Sequence, residues 1–439
     1  MSTPTTGTGR TRPLVLRNRA FGTVWLGQVL TQAAVRMFQV GVSWWLVAYA
    51  VSSGRGLASG LFMAVSTLPA VTLAPVVARA IARFAHRSLL RTAAGAAGAT
   101  AAALALWAGT SDLPLAAAYA ATLALATCQA FFDPCLTTSV PELVDDEDIE
   151  AATGFELSTQ SLASLGGALL GALIVDRAGV AGLAVGCATA YLCAAALIAT
   201  ARFRTAPAEG AEAAEATGEG AEARRTLRQV LADLPFVRKI LVCFAAANLF
   251  TTAVFVIIPL YTRSSLQGGG GTVALLEASL GAGTLIGSFT GARVPGRPTV
   301  VGSLCLGTMA VALALPGLIA ERPVIAGCLA VAGWCVGVIG VRFVALFQRL
   351  VPTSDKPAFF AVMQALLGAT FPVASLLFGL LGDHLSAQTL CLIQAAGLVP
   401  AACALALLHE SATTTDTEAA AADEPASGSR PMADAGGAR

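Results

Sequence analysis

Apolar runs recur along almost the whole chain, each long enough to matter and each closed off by charge. Stretches without Asp, Glu, Lys, Arg or His cover Met37–Gly54, Gly56–Ala78, Thr92–Ser111, Leu113–Phe132, Leu157–Val175 and Ala178–Ala201. They resume at Ile240–Thr262, Pro298–Ala320, Pro323–Val341, Pro357–Gly382 and Leu385–Leu408, and Ala278–Ala292, extended back past Glu277, adds one more. An α-helix needs about 20 apolar residues to cross the hydrocarbon core. Lipid leaves backbone groups no partner outside the segment, so each run predicts a helix. About twelve such segments predict an all-α integral membrane protein.

The longest interruption, Arg202–Lys239, splits the spans into two sets of six. The expected organisation is an N-terminal arm over 1–20, a six-helix bundle over 21–201, a linker over 202–239, a second bundle over 240–408 and a disordered tail over 409–439. Within the linker, Ala206–Arg225 is rich in Ala, Gly and Glu without an apolar period, and Thr226–Phe236 reads as a short surface helix. Two six-helix halves around a central loop is the plan of many secondary transporters, with the site near the midplane between the repeats.

Charge then orients the chain. Of 27 basic residues, an N-terminus in the cytoplasm places 21 inside, among them Arg79, Arg83, Arg87 and Arg91. Arg55, Arg177, Arg263 and Arg322 stand alone in loops on the other side, and Arg36 and Arg342 fall within spans. That bias is what the positive-inside rule requires, so both termini are expected in the cytoplasm. Met1–Arg19 holds four Arg but no short apolar region with a cleavage site, so no secretory leader is expected.

Composition narrows the classes further. The chain is 56% hydrophobic and 12% charged, against roughly 25% charged in soluble domains. A net charge of +1 gives no reason to expect a nucleic-acid partner. The ten Cys are scattered without a CxxC pair, so neither metal nor disulfide is expected. No Gly-rich nucleotide loop is present and no cofactor is expected. The Arg-rich, Lys-poor balance suits a GC-rich bacterial genome, and hence a bacterial cytoplasmic membrane.

Several stretches together resemble the major facilitator superfamily, most closely its drug:proton antiporter branch of macrolide-efflux and siderophore-export proteins. They are Leu16-Arg17-Asn18-Arg19-Ala20-Phe21 with Trp25-Leu26-Gly27-Gln28, and Trp44-Trp45-Leu46-Val47 before Ser52-Ser53-Gly54. Leu68-Pro69 with Ala74-Pro75, Ala130-Phe131-Phe132-Asp133-Pro134 with Pro141-Glu142-Leu143-Val144, and Phe347-Gln348-Arg349-Leu350-Val351-Pro352 complete the set. The resemblance covers roughly residues 14–408 and implies alternating access by a monomer, with a small molecule and protons as partners. It implies export of an amphiphilic antibiotic or siderophore-like product, with uptake of a siderophore or nutrient as the alternative. A sensor or enzyme on the same scaffold is disfavoured, because the spans hold no His and no nucleophile–base pair.

The chain also departs from the family pattern. Where the loop between spans 2 and 3 usually reads Gly-x-x-x-Asp-Arg-x-Gly-Arg-Arg, it has Ala78, Ala82, Arg83, Ala85, His86 and Arg87. The acid that helps latch the outward-open state in relatives is gone, while Arg83 and Arg87 keep the basic gating character. Span 1 has Ala34-Val35 in place of Gly-Asp, span 5 has Gly166-Gly167 in place of Gly-Pro, and Lys356-Pro357-Ala358 replaces Arg-Gly-Arg after span 10.

Spans 1, 4, 7 and 10 face the central cavity in such folds, so their polar stripes supply the candidate binding residues. Span 1 offers Gln28, Gln32, Arg36 and Gln39 at helical steps along one face, and span 4 offers Thr122 and Gln129. Span 7 adds Asn248 and Thr252, and span 10 adds Trp334 and Arg342. Arg36 is the leading candidate, because a charge at mid-span costs about 2.5–3.5 kcal/mol on insertion scales and calls for compensation. Two Arg in cavity-lining spans point to a substrate with an acidic group. Proton coupling needs a membrane-embedded carboxylate, and Asp133, expected to end span 4, and Glu277, expected near the outer end of span 8, are the candidates. Gly167-x-x-x-Gly171 and Gly283-x-x-x-Gly287-x-x-x-Gly291 are expected to let helices pack closely, and to serve as a sliding surface where spans 5 and 8 meet.

Overall fold

The computed structural model describes residues 17–144, 148–201, 235–351 and 356–422. Most of the proposed arm (1–16), most of the linker (202–234, with the surface helix up to Leu234) and the end of the tail (423–439) lie outside the described residues, as do Asp145, Asp146 and Glu147. Among the described residues every regular element is helical.

The first half holds α1 (Arg19–Trp45, drawn out by a π turn at Leu46–Ala50), α2 (Arg55–Thr72, continued by Ala74–Arg83), α3 (His86–Thr110) and α4 (Leu115–Leu143). The two pieces of α2 meet at a 51° bend. Ile149–Thr200 is two helices run together, and Gly179, at φ 66° and ψ −173°, separates α5 (149–178) from α6 (180–200). Packing against α1 shows that the chain reverses there. Gly167 lies on Ala33 and Gly171 on Met37 and Gly41, so α5 runs parallel to α1; Leu183 then lies on Gly41 and Ile198 on Gly27, so α6 runs back. The reversal needs a left-handed φ, which glycine takes without a Cβ clash.

The second half holds α7 (Pro235–Thr252 and, past a break at Ala253, Val254–Ser264), α8 (Gly270–Thr290), α9 (Pro298–Leu318), α10 (Arg322–Leu350), α11 (Lys356–His384) and α12 (Ala387–Ala422). The molecule is an all-α membrane protein of twelve spans in two six-helix halves. α1 carries Gln28, Thr31 and Gln32 among its buried residues. The backbone of α12 continues as helix to Ala422, past the point where the sequence turns polar.

Glycine and other small residues set how closely the helices approach, and their placement corrects one expectation. A Cβ on Gly283 or Gly287 would strike the carbonyl of Ala330 or Trp334, and one on Gly333 or Gly337 the carbonyl of Leu280 or Thr284. The α8 glycines therefore clasp α10 inside the second half, and those of α5 clasp α1 inside the first, rather than forming a sliding surface. The close contact between halves belongs to α2 and α11, where Gly56 and Gly60 lie against Gly379 and Ser375, and to the start of α8, where Gly270 lies against Ala172 of α5. Small-xxx-small pairs at Gly56/Gly60 and Ser375/Gly379 make that approach possible.

Candidate functional site

Arg36 is held from both halves of the molecule. Its Nη1 donates to Gln39 Oε1 at 2.9 Å, one turn along α1, and its guanidinium lies 5.3 Å from the centre of the Phe255 ring on α7. Its Nε is buried and has no hydrogen-bond partner among the described residues. A guanidinium over an aromatic face gains about 0.5–2 kcal/mol, less than the cost of placing it at this depth. The hydrogen bond to Gln39 supplies part of the rest, and the cavity that Arg36 lines leaves room for a ligand to engage the free Nε.

That cavity, about 350 Å³, opens between the halves and is walled by Leu165 of α5, Phe255 of α7, and Glu277, Thr284 and Ser288 of α8. Glu277 is 5% exposed and lies two turns into α8, beyond the first turn where a helix dipole would account for it. No hydrogen bond or ion pair to its carboxylate is found among the described residues, so Arg36 and Glu277 face one space without closing on each other. Opposite unit charges in low dielectric attract strongly, and a shared cavity lets a ligand or a proton decide how they are compensated.

The first half has its own pocket of about 190 Å³, in which Gln39, Ser66, Thr122, Gln129 and Asp133 share the wall with apolar residues such as Phe38, Leu125 and Tyr191. Asp133 Oδ1 accepts from Gln32 Nε2 at 2.7 Å and from Gln129 Nε2 at 2.5 Å, joining α1 to α4. Expected at the end of a span, Asp133 instead lies inside α4, which runs on through Pro134 to Leu143. Its Oδ1 is already committed to two amide donors, whereas no such bond reaches Glu277 among the described residues. Thr122 is buried and returns its hydroxyl to Ala118 O. Gln28 is buried on the same face of α1.

The remaining candidates hold helices together. Asn248 Nδ2 donates to Leu367 O at 3.0 Å and Thr370 Oγ1 at 2.6 Å, tying α7 to α11, and it also borders an apolar pocket of the second half. Thr252 bonds back to Asn248 O within α7. Trp334 Nε1 donates to Thr290 Oγ1 at 2.9 Å, linking α10 to α8. Arg342 reaches the Gly296 carbonyl in the turn between α8 and α9, so the structure places it at the arginine-rich end and not with Arg36. Arg83 ends α2 in an exposed position, and exposed Arg87 donates to Ala199 O at the end of α6. Between them His86 Nδ1 lies 2.6 Å from Glu142 Oε1, tying this loop to α4.

Two acids that the polar stripes did not single out close the opposite end. Asp176, at the end of α5, accepts from Trp44 Nε1 at 2.6 Å, from Tyr49 Oη at 2.9 Å and from the Gly270 amide that opens α8. Asp383, at the end of α11, accepts from the amides of Gly56 at 2.7 Å and Leu57 at 3.1 Å, which open α2. Each carboxylate crosses from one half to the other and meets the positive end of a helix. The end of the molecule away from the arginine-rich loops is thus sealed. A sequence signal existed: both acids stand at the outer edge of an uncharged run, where the chain turns back into the membrane.

The architecture matches solved transporters at low identity. A point mutant of the nucleoside transporter NupG superposes with a TM-score of 0.66 at 13% identity, covering 89% of this chain and 99% of that one. An auto-inhibited POT family peptide transporter gives 0.68 at 13%, covering 89% and 97%, and a D-xylose-proton symporter gives 0.67 at 13%, covering 88% and 96%. No curated protein matches the chain by sequence. The sequence model for the Major Facilitator Superfamily matches residues 24–295, more than half of the chain, and with a transporter fold over its whole described length the protein belongs to that superfamily.

Proposed function

We propose that the protein exports a small amphiphilic molecule bearing an acidic group across a bacterial cytoplasmic membrane, by alternating access coupled to protons. The observation that carries this reading is Arg36: a mid-membrane guanidinium with a buried, unpartnered Nε, facing a cavity between the halves beneath a sealed end. With the arginine-rich loops in the cytoplasm, as the charge bias favours, the sealed end faces outward and the site loads from inside. The likeness to drug:proton antiporters supports export, and an antibiotic or siderophore-like product fits an acidic amphiphile. Glu277 is the proton site of choice, because it shares the cavity with Arg36 while Asp133 is engaged by two glutamines.

One arrangement favours uptake as a second reading. An anion on Arg36 and a charged Glu277 in the same low-dielectric space repel, so loading the anion goes together with a proton on Glu277. Joint loading is the signature of co-transport, which an inward proton gradient drives inward. Proteoliposomes with an imposed pH gradient of either sign separate the two. Export by exchange predicts that a gradient acid outside drives substrate outward, and co-transport predicts the reverse. Transport that Arg36→Gln leaves intact, or that ignores the gradient in both directions, would refute the acidic-substrate or the proton-coupled part respectively.

A further inference from the structure

The pockets of the two halves differ in their polar content. In the first half, Gln39, Thr122, Gln129 and Asp133 stand in a wall shared with Phe38, Leu125 and Tyr191. In the second, a pocket of about 200 Å³ is lined by Phe244, Leu306, Met309, Ile339, Phe343 and Leu405, with Gly340 at its wall. Phe244 and Phe343 stand 4.5 Å apart between ring centres, and the pocket's one amide donor, Asn248, is spent on Leu367 and Thr370. An apolar cavity of about 150 Å³ stays dry and takes up a benzene-sized ring. This pocket is similar in size and as apolar in its wall, but open on the side of Gly340.

The helices connect it to the Arg36 cavity. Along α7, Asn248 and Thr251 border the apolar pocket, and Phe255, one turn further, borders the central cavity. Along α11, Leu367 borders the pocket, and Phe371, one turn further, lies 5.9 Å from Phe255. Phe255 therefore stands between the two spaces, with the Arg36 guanidinium on one side.

We propose that the substrate lies across the molecule, its acidic group on Arg36 and its apolar tail past Phe255 in the pocket of the second half. The claim rests on the acidic-substrate reading for the head alone; the tail site is a separate assignment. Its ligand class is an aryl or short alkyl chain, up to roughly the size of a substituted benzene ring. Gly340 offers the means of testing it, because open space surrounds the position where a Cβ would stand, so a side chain there would fill the pocket without striking a neighbour.

The experiment measures binding of n-alkanesulfonates, from ethane- to octanesulfonate, to the full chain in lipid nanodiscs by calorimetry, with empty nanodiscs subtracted. Affinity is expected to rise about fourfold per methylene until the pocket fills. Gly340→Val occupies the room of two to three methylenes, so the octane-to-ethane affinity ratio is expected to fall about 15- to 60-fold; Gly340→Ala, a milder change, should lower it about fourfold. A ratio unchanged in both variants, or wild-type affinity independent of tail length, overturns the tail site. Arg36→Gln tests the other claim: loss of affinity for every sulfonate with the tail dependence kept supports the head site. Full affinity in that variant refutes the head site and leaves the tail site standing.

Discussion

Neutralising Asp383 should open the sealed end. Its carboxylate receives the Gly56 and Leu57 amides from the other half. A hydrogen bond to a charged group contributes about 1.5–3 kcal/mol and a neutral one about 0.5–1.5, so Asp383→Asn weakens one bond by roughly 1 kcal/mol and loses the other, because Oδ1 and Oδ2 each serve one amide and the variant keeps a single acceptor oxygen. The lost charge at the α2 terminus removes about 0.3–1 kcal/mol more. Asp383 is solvent-exposed, which screens these contributions, and a net loss of about 1–2 kcal/mol is the working figure. That corresponds to a roughly 5- to 30-fold shift towards the state open at this end. Amide hydrogen exchange reads it directly in peptides covering 54–60 and 268–274. Exchange at Gly56 and Leu57 rises through the lost bonds alone, so the diagnostic amide is Gly270, whose partner Asp176 is untouched. If the halves move as rigid bodies, Gly270 exchanges about 5- to 30-fold faster in the variant. An increase confined to 54–60 would refute the idea that the two carboxylates form one latch.

Other perturbations test the site and the packing. Glu277→Gln should abolish the response of transport to a pH gradient while retaining substrate binding, measured as flux in proteoliposomes and as binding in nanodiscs; unchanged coupling would exclude Glu277 as the proton site. Gly60→Leu places a side chain where the Ser375 carbonyl stands, so it should hold α2 and α11 apart and raise exchange at Gly270 as Asp383→Asn does. Gly287→Leu meets the Trp334 carbonyl inside one half and should cost about 1–3 kcal/mol of stability, read as a lowered Tm, with no selective opening of the sealed end.

The spans and their division into halves were legible because lipid leaves the backbone one solution, and the resulting runs are long and repetitive. Arg36 was legible for the same reason, since a charge at mid-span has few explanations. Partners were not legible. The Gln28–Gln39 stripe looks uniform in sequence, yet Gln32 donates to Asp133 on α4 while Gln39 accepts from Arg36 one turn away on α1. For Arg342 the place near the cytoplasmic end of span 10 already made snorkelling credible, but its partner, the Gly296 carbonyl, was not legible. The glycine repeats announced close packing but suggested the wrong partners: spans 5 and 8 were expected to slide on them, whereas α8 clasps α10 and α5 clasps α1. Phe255 could not be singled out among 19 phenylalanines, because its role depends on a residue far away in the chain.

The two latches follow from the repeat. In a molecule of two similar six-helix halves, α5 corresponds to α11 and α2 to α8. Asp176 at the end of α5 meets the start of α8, and Asp383 at the end of α11 meets the start of α2. The same device is used twice, each half supplying one acid and one helix terminus, so the seal draws on both halves equally. At the arginine-rich end the corresponding loop between α2 and α3 offers Arg83, His86 and Arg87, with no acid, and His86 Nδ1 and Arg87 find their partners within the first half, Glu142 and Ala199. Carboxylates that could cap a helix of the opposite half are thus present at one end and missing from this loop at the other. These two latches hold the state closed at that end, and substrate binding at Arg36 must supply the free energy that breaks them.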